Sequence, residues 1–108
     1  MKALSRNEVD EFMLVHLKGW SIAGDAIKKD FKFKNFVDAF SFMTAIAIAA
    51  EKIDHHPEWS NVYNRVSIHL NTHDAGGITQ LDFDLAQIID SVYAKYAPYD
   101  SGQPAGAC

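Results

Sequence analysis

The spacing of apolar residues switches between helical and strand-like along this chain, in the order helix, two strands, helix, two strands, helix. The first helix is predicted over residues 5–17, because Ser5 and Glu8 form the Ser-x-x-Glu capping box of a helix N-terminus. Gly19 lies where a glycine commonly ends a helix. The predicted buried stripe has the spacing of one helical face and consists of Val9, Phe12, Met13, His16 and Leu17.

Two strands are predicted next, at residues 20–22 and 27–34, with a turn at residues 23–26 between them. In the second strand Ile27, Phe31 and Phe33 share one parity, and most of the charged side chains share the other, which is typical of a half-buried strand. The lysines at 28, 29, 32 and 34 could form a basic patch. A solvated strand face is the favoured interpretation, because the formal net charge of −4 argues against direct nucleic-acid binding.

The middle helix is predicted to begin after Asn35, a residue that can cap it, and to end near Asp54. Apolar residues cover most of its circumference, so we expect it to be the most buried element. A stripe of this kind could also line a cofactor pocket, but core packing is the preferred interpretation. One side is expected to contain Phe36, Phe40, Met43, Ala47 and Ala50, and a second set contains Val37, Phe42, Ile46, Ile48 and Ala49.

The second strand pair is predicted at residues 59–63 and 66–72, with Asn64 and Arg65 as the turn. The last helix is predicted to begin after Thr79 and to reach about Tyr96, with Asp82 completing a second capping box. These elements predict an α+β fold: α-β-β-α-β-β-α with a four-stranded antiparallel sheet covered on one face by three helices. We expect a single domain over residues 1–97 and a flexible tail over residues 98–108.

The segment between the middle helix and the third strand contains two adjacent histidines, His55 and His56, followed by Pro57. Glu51, Asp54 and Glu58 flank them, and a third histidine, His73, follows the fourth strand. Histidine exchanges protons near neutral pH, and neighbouring carboxylates favour its charged form and fix which ring nitrogen carries the proton. General acid–base catalysis is therefore the chemistry that these residue types favour.

Three alternatives to acid–base catalysis are less well supported. Adjacent side chains on an extended chain point to opposite sides, so His55 and His56 cannot easily share one metal ion. Covalent catalysis is weakly supported, because the sole cysteine is Cys108 in the predicted tail and no Gly-x-Ser-x-Gly motif is present. The histidines could also be ordinary polar turn residues.

Composition indicates where in the cell the protein is expected. The longest apolar run, at residues 45–50, is far shorter than the roughly 20 residues that span a bilayer, so no membrane segment is expected. The first residues contain no apolar segment typical of a secretion signal. A single cysteine cannot form an internal disulfide, and we expect a cytoplasmic location.

Several separated motifs together resemble the pterin-4a-carbinolamine dehydratase family. They are Glu51-x-x-Asp54-His55-His56-Pro57-Glu58-Trp59, Asn61-x-Tyr63, Val66-x-Ile68-x-Leu70-x-Thr72-His73 and Gly77-Ile78-Thr79-x-x-Asp82. They occur in the family's order and spacing, and the resemblance runs from about Trp20 to Tyr93. The family's fold is the same α-β-β-α-β-β-α arrangement.

The resemblance implies dehydration of 4a-hydroxytetrahydropterin to quinonoid dihydropterin, in the recycling of tetrahydropterin after aromatic amino acid hydroxylases have used it. It implies no metal and no cofactor, since the pterin is the substrate. The implied catalytic residues are His55, His56 and His73. The implied substrate-binding residues are Glu51, Asp54, Pro57, Trp59, Thr72, Asp74, Ala75 and Asp82, with Ala75 standing where some members have cysteine.

The resemblance also implies partners. Family members form homodimers and homotetramers, and some serve as dimerisation cofactors for a homeodomain transcription factor, which would place them in the nucleus as well. A protein-binding role is therefore the alternative to the enzyme. The complete set of three histidines favours the enzyme.

Overall fold

The computed structural model describes residues 2–96, and the predicted tail lies outside them. The elements are α1 (Arg6–His16), β1 (Ser21–Ala23), β2 (Ala26–Lys32), α2 (Phe36–Ile53), β3 (Glu58–Val62), β4 (Arg65–Leu70) and α3 (Gln80–Tyr93). A short 3-10 turn at His73–Ala75 precedes α3. The strands form one antiparallel sheet in the order β1-β2-β4-β3, which confirms the predicted fold class.

One face of the sheet is buried beneath the helices, as the strand parity predicts. Ile27, Phe31 and Ile68 are at most 1% exposed and lie on this face. The strand residues of the opposite parity form the other face of the sheet, which is polar. Helix residues complete the core, and the most deeply buried are Leu17, Ala39, Phe42, Ile46, Ala50, Phe83, Leu85, Ala86 and Ile89.

The predicted helix caps are confirmed. Ser5 and Glu8 exchange hydrogen bonds at the start of α1, and these bonds, led by the one from the Ser5 backbone, hold the pKa of Glu8 below its ordinary value. Asn35 accepts the backbone N–H of Asp38 at the start of α2. His16, expected in the buried stripe of α1, is exposed beside the ring of Phe12.

Helix α2 is not the most buried element, so that prediction is wrong. Phe36 is 47% exposed, Phe40 is 55% exposed and Ile48 is 57% exposed. The residues that α2 does bury form a single stripe, Ala39, Phe42, Ile46 and Ala50. A helix lying on a sheet has one face available for the core, and extra apolar residues on its circumference remain outside that contact. The outward apolar residues, Phe36, Val37, Phe40, Ala47 and Ile48, are called the α2 outer stripe below.

The second hairpin turns one residue earlier than predicted. Val62 pairs with Arg65, so the turn residues are Tyr63 and Asn64, and Tyr63 has the positive φ of 51°. The side chain of Asn64 is instead buried, and its Nδ2 donates to the carbonyl of Phe33 at 2.9 Å. The left-handed residue of the turn is therefore Tyr63 and not the asparagine. Helix α3 also ends at Tyr93 rather than near Tyr96.

A polar contact ties α3 to the sheet. The Asp90 carboxylate accepts the indole N–H of Trp20, at 3.1 and 3.0 Å to its two oxygens, and the Lys29 ammonium at 2.9 Å. The Lys29 and Asp90 side chains are only 20% and 28% exposed. Lys29 is the charged residue on the apolar face of β2, and its ion pair with Asp90 explains how that face can contain it.

We expect Asp90→Ala to lower the free energy of unfolding by about 1–3 kcal/mol, because it leaves a mostly buried ammonium and indole N–H without their acceptor. The matched control is Asp10→Ala, which removes the exposed ion pair with Arg6 and should cost no more than about 1 kcal/mol. Urea unfolding of both variants at one protein concentration measures the difference. Equal losses in the two variants would contradict this assignment.

Candidate active site

The end of α2 turns His55 inward and His56 outward. Asp54 adopts the left-handed conformation, with φ 51°, and the backbone N–H of His55 donates to the carbonyl of Ala50 at 3.1 Å. This closes the helix and leaves His55 only 8% exposed, while His56 is exposed. The two adjacent imidazoles therefore point apart, as expected for the extended backbone that Pro57 favours.

The third histidine comes from a compact loop after β4. Thr72 pairs with Gly77 across this loop, and the 3-10 turn His73–Ala75 fills it. Gly76 has φ 72°, a left-handed value that glycine adopts without strain. The loop thus holds His73 at the surface beside the end of α2.

All three histidines line one pocket of about 210 Å³. This is smaller than the roughly 300–1,000 Å³ typical of pockets that bury drug-sized ligands, and it suits a compact ring. Several lining residues are exposed, so the pocket is shallow and opens to solvent. The full lining is Asp54, His55, His56, Asn71, Thr72, His73 and Asp74.

Beneath the pocket, His55 is bound to the buried carboxylate of Asp82. The distance from His55 Nε2 to Asp82 Oδ1 is 2.6 Å, and Asp82 is 0% exposed. The other oxygen, Oδ2, accepts the Thr72 hydroxyl at 3.0 Å and the Thr79 backbone N–H at 2.8 Å. The second bond is half of the α3 capping box, so one carboxylate both caps a helix and holds a histidine.

This network determines which nitrogen of the His55 ring carries the hydrogen that faces Asp82. A carboxylate only accepts hydrogen bonds, so Nε2 of His55 carries the hydrogen toward Asp82 and Nδ1 is the free nitrogen. Among the described residues no buried side-chain nitrogen or oxygen lacks a partner, and the His55 ring has none besides Asp82. Nδ1 is therefore accessible, at the pocket that His55 lines.

His56 is held more loosely. Its Nε2 lies 2.8 Å from the Glu51 carboxylate in the last turn of α2, and the two side chains are 57% and 80% exposed. Solvent weakens such a contact, so it orients the ring without locking it. His73 makes no side-chain hydrogen bond within residues 2–96.

Other residues predicted for the site lie around the pocket rather than in it. Pro57 and Trp59 line a neighbouring apolar groove of about 720 Å³, which shares His56 with the pocket. Ala75 follows in the 3-10 turn without lining the pocket, and Glu51 reaches it through His56. Asp82 lies below the surface.

Asn71 also lines the pocket and was not among the site residues predicted from the sequence. The predicted turn at 64–65 would pair Glu58 with Asn71 inside the sheet. The observed register pairs Glu58 with His69 and leaves Asn71 just beyond the end of β4, among the pocket residues.

Comparison with known proteins gives a consistent family. A family model described as Pterin 4 alpha carbinolamine dehydratase matches residues 2–92. A Rhizobium johnstonii protein is 56% identical over 97 residues, which cover 88% of this chain and 95% of the relative. A Prochlorococcus marinus protein (strain NATL2A) is 49% identical over 89 residues, which cover 82% and 93%. Both proteins carry the name "Putative pterin-4-alpha-carbinolamine dehydratase".

Two solved structures are similar. A transcriptional coactivator/pterin dehydratase from Brucella melitensis has a TM-score of 0.82 and 41% identity, and the match covers 85% of this chain and 99% of the other. A pterin dehydratase-like RuBisCO assembly factor of the alpha-carboxysome has a TM-score of 0.61 and 22% identity, over 72% and 93% of the two chains. The second likeness supports the fold alone.

We expect Asp82→Asn to reverse the tautomer of His55. The asparagine oxygen would keep the Thr72 and Thr79 hydrogen bonds, so its NH₂ would face Nε2, and the ring hydrogen would move to Nδ1. Nitrogen–proton NMR correlations of the imidazoles, at a pH where the rings are neutral, distinguish the two forms. Asp84→Asn, an exposed change on the same helix, is the matched control. An unchanged His55 spectrum in Asp82→Asn would refute the assigned network.

Proposed function

Because this chain belongs to the pterin 4 alpha carbinolamine dehydratase family, we propose that it dehydrates 4a-hydroxytetrahydropterin to quinonoid dihydropterin. The observation that carries the proposal is the pocket lined by His55, His56 and His73, with His55 fixed by Asp82. The flat ring of a pterin is the compact shape that a shallow pocket of this size can take.

The reaction is an elimination of water across one bond. The C4a–O bond breaks as the hydroxyl takes a proton and leaves as water, the N5–H proton goes to a base, and the C4a–N5 double bond forms. Electrons balance within the pterin, so the chemistry requires no external oxidant or reductant. We accordingly propose that the protein works without a resident metal or cofactor.

His55 is the proposed principal acid. Its Nδ1 is accessible, and the Asp82 carboxylate lies 2.6 Å from Nε2, so a negative charge faces the imidazolium that must deliver the proton. The fixed ring orientation keeps Nδ1 directed as the substrate changes, which is the positioning that proton transfer needs.

The other two histidines have complementary proposed roles. His73 is the second acid, acting on hydroxyl at the opposite ring face, and its place on a separate loop suits that role. His56 binds substrate or takes the N5 proton, with Glu51 orienting its ring. Two acids can share the protonation step, so loss of one leaves partial activity.

The remaining predicted residues have proposed binding roles. Asp54, Thr72 and Asp74 line the pocket. The two carboxylates can bind the polar edges of the pterin, and Thr72 contributes by holding the Asp82 carboxylate through its hydroxyl. Pro57 and Trp59 line the adjoining groove, where a substituent on the ring could extend past His56. Ala75 shapes the loop. We propose that the product returns to the tetrahydropterin cycle that serves aromatic amino acid hydroxylases.

We expect His55→Ala to lower the turnover number by about 10²–10⁴-fold, the usual contribution of one acid–base group. Stopped-flow decay of 4a-hydroxytetrahydropterin, with spontaneous dehydration subtracted, measures this. His69→Ala is the matched control, since His69 is a partly buried histidine on β4 that does not line the pocket. A folded His55→Ala variant with full activity would exclude His55 from the mechanism.

Self-association is a second property that a specific observation favours. The α2 outer stripe is apolar, so two copies can bury it against each other across a twofold axis, with the exposed Glu51 of the last turn at its end. We propose a second copy of this chain as its occupant, giving a homodimer or homotetramer. The Brucella melitensis relative is described as a coactivator, so a transcription factor is the alternative occupant.

We expect Phe40→Asp to lower the sedimentation coefficient to that of a smaller assembly, because the carboxylate would be buried against a second apolar stripe. Leu14→Asp, at a residue 78% exposed on α1, is the matched control and should leave the assembly unchanged. A wild-type protein that sediments as a monomer at all concentrations would rule out this occupant.

A further inference from the structure

One polar side chain of the pocket has no role in the chemistry above. Asn71 lines the pocket and is half-buried, and its amide makes no hydrogen bond within residues 2–96. The hydroxyl of Thr72, the neighbouring uncharged polar residue, is already hydrogen-bonded to Asp82 and Thr79. Among the pocket residues that the structure describes, Asn71 is therefore the amide whose donor and acceptor are both available to a ligand.

The end of β4 determines where this amide lies. Asn71 directly follows Leu70, the last residue of β4, and directly precedes Thr72, which opens the loop that bears His73. It lines the pocket together with His55, His56 and His73. A ring that meets His55 and His73 would therefore present one edge to Asn71.

An amide complements one edge of a pterin in particular. The 4-oxo group accepts a hydrogen bond and the adjacent N3–H donates one, and an asparagine side chain offers the matching NH₂ and carbonyl. The carboxylates of Asp54 and Asp74 can accept from N3–H, but when ionised they cannot donate to the 4-oxo group. C4 is bonded to the reacting C4a, so holding the 4-oxo group also positions the reacting carbon.

We propose that Asn71 is a specificity-determining residue that recognises the 4-oxo and N3–H edge of the pterin. This inference rests on the proposed function, because it assumes that the pocket binds a pterin. Asn71 would select the 2-amino-4-oxo ring over rings with another substituent at position 4. It would act by binding the substrate and not by transferring a proton.

The test uses two stable flat probes, pterin and 2,4-diaminopteridine, which differ at position 4. Fluorescence titration of the full chain measures the dissociation constant of each. We expect Asn71→Leu, similar in size but without polar atoms, to weaken pterin binding on the order of tenfold. Asn71→Asp should reverse the preference toward 2,4-diaminopteridine, because a carboxylate repels a 4-oxo group and accepts from a 4-amino group.

Kinetics separate recognition from a general structural effect. With 4a-hydroxytetrahydropterin, Asn71→Leu should raise KM while kcat falls much less, the pattern of lost uniform binding. Asn7→Leu and Asn7→Asp, at an exposed position on α1, are the matched controls and should change neither probe affinity nor KM. Asn71→Ser provides a second variant if the leucine variant does not fold.

The outcomes distinguish this inference from the function on which it rests. If the wild-type protein is an active dehydratase, and a folded Asn71→Leu or Asn71→Ser variant binds pterin as tightly as the wild type, the role of Asn71 is overturned and the proposed function stands. An Asn71→Asp variant that keeps the wild-type preference between the probes would do the same. A wild-type protein that neither binds pterin nor accelerates dehydration would overturn both proposals.

Discussion

The site depends on a single buried carboxylate. Asp82 is 0% exposed, and burying a charged group is costly unless every lone pair finds a donor. Its donors come from three separate segments: His55 after α2, Thr72 after β4 and Thr79 at the start of α3. Satisfying this one group therefore brings together the two loops that carry the histidines. The capping box that the sequence indicates as a local helix signal is also the tertiary junction of the pocket.

Most of the fold was predictable because its determinants are local. The capping pairs at Ser5 and Thr79 need only residues three positions apart, and strand parity is visible in β2 without knowledge of its neighbours. The burial of α2 was not predictable in this way. The apolar residues around a helix indicate how much of its surface must be buried. They do not indicate whether the protein's own core or another molecule buries it. Phe40 and Phe42 are equally apolar, and one is 55% exposed while the other is 0% exposed.

The residues of the candidate site likewise fall into those that the sequence predicts and those that only the tertiary structure reveals. The histidines were predictable as candidates from their residue type, since acid–base chemistry limits which side chains can take part. Asp82 was predicted from its residue type only as a helix cap, and its place at the site came from the family resemblance. Asn71 was not predicted, because neither its residue type nor the motifs indicate that it lines the pocket. Moving the turn by one residue changes the partner of Glu58 from Asn71 to His69, which leaves Asn71 outside the sheet. Asn64, which suggested the wrong turn position, is used instead to satisfy the carbonyl of Phe33.

Helix α2 links the two proposed properties of the protein through its different faces. Its inner stripe fixes it on the sheet, its outer stripe is free for association, and its last turn supplies Glu51. A molecule bound along the outer stripe would lie close to Glu51 and His56, since the groove that ends at His56 is lined partly by Ile48. His55 would be insulated from such contact, because its ring is held from below by α3 through Asp82. The protein thus separates a histidine held by a buried carboxylate from an exposed one whose surroundings association could alter.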